Sequence, residues 1–289
     1  MPSIFAHPPF LACADGNSPV SSDLVQSLCR IAPILVESSS TSSSSSLKEI
    51  LETSPSCEYW INLAPGCSAD DAIKALDGGA SKAVTKDVEV VHNLPSERVL
   101  LRIDSTTSTL LSDKKLIESI AGIVVELPDT QSAAELLAGF RQALGGQASR
   151  DSKLLFFVPP PSATTEDVVT MAQLDARGVP CMATSRLSPS TAAELFTSAL
   201  KTDRQDGLFA TLVASDNGDP LGLVYSSVAS LALSIQTGDA TYYSRSRNNL
   251  WKKGETSGAT QKVNRIRMDC DADAVQFEVE QKIGTGFCQ

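Results

Sequence analysis

The chain has 289 residues, a net charge of −10 and 42% hydrophobic side chains. That apolar content is enough for a packed core and excludes wholesale disorder, while the acidic balance excludes a dedicated nucleic-acid binder. No run of about 18 apolar residues occurs, so no membrane span is expected. The N-terminus has a short apolar patch at residues 10–14 without a basic stretch before it, which does not read as a signal peptide. Seven cysteines, odd in number and scattered, suggest reduced thiols and a cytoplasmic setting.

Residues 38–46 are Ser and Thr only, a run with no apolar face to bury, and read as a loop. From residue 59 to about 200, short apolar runs alternate with amphipathic stretches. Strands are predicted at 59–63, 99–103, 122–126 and 154–158, and helices at 69–76, 114–120, 133–144, 166–176 and 191–200. Ser68, Ser112 with Asp113, Thr164 and Ser190 stand where N-caps are expected. At 75–84 a helix end meets Gly78, and a short strand follows. This rhythm predicts an α/β domain over residues 1–203, a layered parallel sheet or a barrel. It carries no obvious site: His7 and His92, the two histidines, have no partners in a catalytic arrangement.

Near Arg204 the pattern changes. Strands are predicted at 208–214 and 221–225 around an Asn217-Gly218 turn, then a helix at 228–236 capped by Ser227 and stopped by Gly238. Further strands follow at 240–244, 261–268 and 274–281. Residues 204–289 therefore read as a smaller α+β domain.

Two blocks in it carry chemistry. The first is YSRSRNNLWKKGETSG, Tyr243 to Gly258. Arg245 and Arg247, two apart, share a face if the segment is extended, and two guanidiniums suit a phosphate. Lys252 and Lys253 add point charges, Trp251 could stack on a purine, and Gly254 and Gly258 bound a turn able to aim N–H groups at an anion. A solvated basic strand with an ordinary turn accounts for the same composition. The second block holds Asp269, Asp271 and Asp273 at alternate positions. In a strand three carboxylates would share one face and repel unless a hard cation such as Mg2+ lay among them, with Cys270 on the other face and Cys288 available as a second thiolate for a softer metal. An exposed acidic turn is the plainer alternative. An EF-hand loop using Glu280 as its last ligand fails at Ala274, where glycine is required, and lacks flanking helices.

Taken together, the two blocks resemble the phosphoribosyl-AMP cyclohydrolase family. That family carries YSRSR…LWxKGETSG, then QxVxxIxxDCDxDA, matched here by QKVNRIRMDCDADA at 261–274, with DGLFATLV at 206–213 and LGLVYS at 221–226 also fitting. The resemblance covers about 85 residues, and its wording leans to the fungal trifunctional histidine-biosynthesis proteins, in which a module of this kind follows an α/β region. It implies an enzyme of histidine biosynthesis that opens the N1–C6 bond of the adenine ring of phosphoribosyl-AMP, as an intertwined homodimer with Zn2+ and Mg2+. Zinc would be held by Cys270 and Cys288, with one ligand from the other subunit, and magnesium by Asp269, Asp271 and Asp273. Arg245, Arg247, Trp251, Lys253, Gly254, Thr256 and Ser257 would bind substrate, and Glu255 is the candidate acid–base. Family members have a third cysteine beyond the position of Cys288, some have His where Ala259 stands, and many have His where this chain has Gln289. The expectation is a C-terminally truncated cyclohydrolase domain with weak zinc binding, either an impaired enzyme or a dimerisation module.

Overall fold

The computed structural model describes residues 10–14, 20–38, 57–104, 108–144, 153–174, 178–269 and 271–281. The N-terminal region is a closed barrel of eight parallel strands. They are β1 (Leu11–Ala14), β2 (Ile34–Glu37), β3 (Tyr59–Asn62), β4 (Lys82–Thr85), β5 (Val99–Ile103), β6 (Gly122–Glu126), β7 (Leu154–Val158) and β8 (Gly178–Ala183). Each pairs with the next, and β8 returns to β1 in the register Leu11 to Cys181. The expected α/β domain is therefore a barrel.

Around it lie α1 (Ser22–Ile31), α2 (Ala69–Asp77), α3 (Val88–His92), α4 (Lys114–Glu118), α5 (Ala133–Ala143), α6 (Thr165–Leu174) and α7 (Pro189–Ser198). Local chemistry sets their starts. Ser68 and Asp71 form a capping box at α2, and Thr164 with Asp167 does the same at α6. Asp113, rather than Ser112, accepts the first N–H groups of α4. The cap of α7 is Ser188 rather than the expected Ser190, because Pro189 fixes a helical φ one residue earlier and has no N–H to lose there. Gly122 admits β7: a Cβ on it would lie 2.2 Å from the Leu154 carbonyl oxygen.

The barrel has two apolar compartments. Inside it Leu11, Leu35, Trp60, Val84, Leu100, Val124, Phe156, Val179 and Cys181 form one cluster, with Trp60 edge-on to Phe156 at 5.3 Å. Outside it, a larger cluster joins barrel and helices and continues without a break into the C-terminal region, through Leu231, Ile235, Tyr242, Val263 and Phe277.

That region contains β9 (Phe209–Ser215), β10 (Pro220–Ser226), α8 (Val228–Thr237), β11 (Thr241–Ser244), β12 (Asn249–Lys252), β13 (Gln261–Met268) and β14 (Ala274–Gln281). Four strands form a sheet in the order β10-β9-β14-β13, with β9 and β14 parallel, and β11 and β12 make a separate hairpin. Ser227 and Ser230 form a capping box at α8, and Gly238 ends it at φ 72° with its N–H on the Ser234 carbonyl. Helices α1 and α7 pack against α8, and α1 also against β13. The Arg30 guanidinium donates to the Ile235 carbonyl at 2.8 Å, near the end of α8, and Arg265 faces Glu58 at 3.7 Å.

One expectation fails outright. Cys29 on α1 and Cys57 just before β3 are joined as a disulfide, with Cα atoms 4.5 Å apart, so these two thiols are not free. The helix brings together cysteines that the sequence holds 28 residues apart. Most of the Ser/Thr run, His7, Cys270 and Cys288 lie outside the described residues.

Candidate active site

The two blocks converge, but through loops rather than strands. Residues 269–273 form the connection between β13 and β14, so the expected strand face does not exist there. The three carboxylates meet because the hairpin loop curls: Ala272 takes φ 63°, and Asp269 accepts the N–H groups of Asp273 and Ala274 at 3.1 Å each. Ligand oxygens of Asp269, Asp271 and Asp273 consequently lie within 4.8 Å of one another, with Asp269 half-buried and the other two exposed. Opposite ligands of an octahedral Mg2+ are about 4.2 Å apart, twice a metal–oxygen distance of about 2.1 Å, so this all-oxygen cluster fits a hard cation with little closure.

Arg245 and Arg247 likewise stand in a turn, residues 245–248 between β11 and β12, where Asn248 adopts φ 49°. Strand alternation therefore does not align them. Arg245 is held by an aromatic ring instead: its guanidinium carbon lies 3.8 Å from the Tyr225 ring centroid, and that of Arg204 lies 4.8 Å from it. Arg204 is fixed in turn by Asp206 at 2.6 Å, and this hydrogen bond holds the Asp206 carboxyl below its ordinary pKa. A guanidinium stacked by its face keeps its in-plane N–H groups available to an anion. Arg247 is exposed on the same turn.

Register joins the two features. Tyr225 on β10 pairs with Ala210 on β9, and Ala210 pairs with Ala274 on β14, the residue that closes the carboxylate loop. Two inter-strand spacings, roughly 10 Å, thus separate the backbone under the stacked arginine from the start of the acid cluster. Both stand at one end of one sheet.

The glycine-bounded turn is built as its spacing suggests. Gly254 needs to be glycine: its φ is 83°, and a Cβ would come within 2.4 Å of Ala259 and Thr260 backbone atoms. Gly258 donates back to the Gly254 carbonyl at 2.9 Å, leaving Glu255, Thr256 and Ser257 exposed at the tip. Lys253 is enclosed, 3% exposed, with its ammonium 5.5 Å from the Trp251 ring. Trp251 is half-buried and tilts against Tyr242 at 6.0 Å, so part of its ring belongs to the core. Lys252 pairs with Asp239 at 2.6 Å. Tyr225, which positions Arg245, and Arg204, which shares its ring, escape sequence reasoning because these contacts join separate elements. The only local signal was the aromatic residue at the end of an apolar run.

Fold and site together define a small α+β domain, docked on a barrel, that sets a cluster of three carboxylates beside an arginine-bearing turn. Residues 222–289 match the family model for phosphoribosyl-AMP cyclohydrolase. The phosphoribosyl-AMP cyclohydrolase of Natronomonas pharaonis is 49% identical over 88 residues, which are 29% of this chain and 73% of that protein. The chain belongs to the phosphoribosyl-AMP cyclohydrolase family. It is also similar to fungal histidine biosynthesis trifunctional proteins: 48% identical over 104 residues to that of Kluyveromyces lactis, and 34% over 230 residues to that of Neurospora crassa. The first match covers 36% of this chain and the second 74%, so the second extends into the barrel. The chain spans only 13% and 24% of the length of those two relatives.

Proposed function

We propose that the C-terminal domain hydrolyses the N1–C6 bond of the adenine ring of phosphoribosyl-AMP, a step of histidine biosynthesis. The observation that carries this reading is the meeting of the Asp269, Asp271 and Asp273 carboxylates at the same sheet end as the Tyr225-stacked Arg245. A substrate with a phosphorylated sugar at one end and a weakly electrophilic base at the other needs an anion clamp and cation sites of this kind.

In the reaction, a water oxygen bonds to C6, the C6–N1 bond breaks, and a proton passes to N1. Arg245 and Arg247 bind substrate phosphate by charge-assisted hydrogen bonds. The exposed N–H and hydroxyl groups of Thr256 and Ser257, on the turn that Gly254 closes, add donors to the same anion, and Lys253 lends charge from within its wall. Trp251 offers its free edge to the base. Glu255, exposed at the turn tip, is the group that moves the proton in this reading. The carboxylate trio would hold magnesium. Zinc, for which the sequence supplies Cys270 and Cys288, would lower the pKa of the attacking water towards ~7. The active unit is a homodimer, in which the second subunit would supply a zinc ligand.

The test is ring opening of phosphoribosyl-AMP followed spectroscopically with Mg2+ and Zn2+ supplied. Asp271→Asn should raise the Mg2+ concentration for half-maximal rate at least tenfold while bound zinc stays at the parent level. Loss of both metals together, or an unchanged Mg2+ requirement, would overturn the assignment.

A further inference from the structure

The barrel carries a polar floor at one end that its packing does not require. Leu35, Trp60, Val84, Leu100 and Val124 belong to the interior apolar cluster. Side chains recur on one face every two residues, so the next interior positions towards the carboxyl ends of β2 to β6 are Glu37, Asn62, Lys86, Arg102 and Glu126. The contacts agree. Glu126 lies 2.9 Å from both Lys86 Nζ and Arg102 Nε, and Asn62 donates to Glu37 Oε1 at 2.8 Å. Four of these strands, and the residue just past β4, thus end the interior rows on a hydrogen-bonding or charged side chain. A barrel filled only for stability continues with branched apolar residues instead.

These side chains border a cavity. Glu37, Asn62, Thr85, Lys86, Asp87 and Arg102 line a space of about 530 Å³, with the 63–67 segment after β3 as its other wall; the Asp87 carboxylate is engaged as the cap of α3, accepting the Glu89 N–H. That volume suits a small metabolite. The carboxyl ends of barrel strands are where such folds hold ligands, because loops from several strands meet there. The lining has a definite polarity. Lys86 and Arg102 are two cations already gripping one carboxylate from two directions, which shows that the pair is spaced for an anionic group. Burial works to raise the Glu126 pKa, but the hydrogen bonds and charges of Lys86 and Arg102 outweigh it and hold the carboxyl below its ordinary value. Beside the cations, Glu37 and Asn62 present an acceptor and a donor suited to hydroxyl groups.

We infer that the carboxyl mouth of the barrel is a second binding site, for a small hydroxylated organic anion whose phosphate or carboxylate group sits on Lys86 and Arg102 and whose hydroxyls meet Glu37 and Asn62. It is separate from the carboxylate loop and the arginine turn, which belong to the other region of the chain.

Calorimetric titration of the full chain tests this, with glycerol 3-phosphate and L-malate as anionic probes and glycerol as the uncharged control. At least one anion should saturate a single site per chain, and glycerol should not. Phosphate-only binding identifies a phosphate monoester site, and malate-only binding a hydroxycarboxylate site. Lys86→Met, at an exposed position, should weaken binding about tenfold or more, and Lys86→Arg should restore most of it. Glu126→Gln removes the internal competitor and should tighten binding, the opposite of what a purely structural ion pair gives. Failure of both anions to saturate, equal affinity in Lys86→Met, or loss of binding in Arg245→Ala instead would overturn the inference.

Discussion

The barrel and the C-terminal domain solve the same problem in opposite ways. In the barrel, polar groups converge because eight strands point their ends at one axis; Glu37, Asn62, Arg102 and Glu126 come from four separate strands and Lys86 from the residue that follows β4. In the C-terminal domain, convergence is achieved by hairpin loops, with Asp269 to Asp273 in one turn and Arg245 to Asn248 in another. The first arrangement is rigid and scattered in sequence. The second is compact in sequence and depends on backbone conformations that few residues adopt, such as φ 63° at Ala272 and φ 83° at Gly254. The difference teaches that a site assembled by topology leaves little trace in the sequence, whereas one assembled by turns writes itself out as a motif.

Despite this contrast the two regions share one apolar cluster, and the sharpest way to break the comparison is to damage one and watch the other. The chain has a tryptophan in each region, Trp60 and Trp251. Gly122→Ala drives a methyl into the Leu154 carbonyl, and Phe277→Ala empties a fully buried position beside Tyr242. Phe277→Ala should cost about 3–5 kcal/mol, and Gly122→Ala about 1–3 kcal/mol or more. In urea titrations of Trp60→Phe and Trp251→Phe backgrounds, either change should move both fluorescence transitions together. Two separate midpoints would show that the shared core does not couple the regions.

A smaller effect is expected at the seam. Arg30→Met leaves the Ile235 carbonyl without its guanidinium donor and should lower stability by about 1.5–3 kcal/mol. It should also begin to separate the two transitions, while Arg204→Met, whose partners Asp206 and Tyr225 both lie on the C-terminal side, should not separate them.

How much could be read in advance follows the same division. The bounds of β5, β6 and β7 match their five-residue, largely apolar runs, and those of β13 and β14 match stretches in which apolar and polar residues interchange. The four-residue strands β1 and β2, helix α1 between them, and β8 are not foreseen, because short buried parallel strands show no alternation and α1 lies in a stretch of weak pattern. Strand β12 hides within a polar block, Asn249 to Lys252, and forms because β11 pairs with it. The Asp and Arg residues of the site are legible by type and spacing, whereas their placement on turns is not. The barrel-mouth layer is invisible in sequence: an isolated Lys86 or Glu126 after an apolar run looks like any solvated strand end.

The smallest predicted effect is in acid. Hydrogen bonds from Lys252 and Lys262 hold the Asp239 carboxyl below its ordinary pKa. Its folded value being depressed, its contribution is complete above the unfolded value, about 3.9, and is lost as pH falls through the folded one. Solvent screening at this largely open site keeps the contribution small. Asp239→Asn should therefore destabilise slightly at neutral pH and show a shallower loss of stability below about pH 4, measured by urea midpoints across pH. A parallel loss in both proteins would remove Asp239 from the acid response.

Ring closure between β1 and β8 has a consequence for how the protein is made. The register that seals the barrel ties Leu11 to Cys181, so the first strand leaves the ribosome long before the strand that completes its pairing. Until Gly178–Ala183 has emerged, β1 and β7 are open edges bearing unpaired amides and carbonyls, the surface on which nascent chains stick to one another. Arg30 waits longer still, since Ile235 is translated after the whole barrel. Translation thus runs opposite to the order in which the earliest segments find partners, and the N-terminal strand and helix must be kept from strangers until most of the chain has been synthesised.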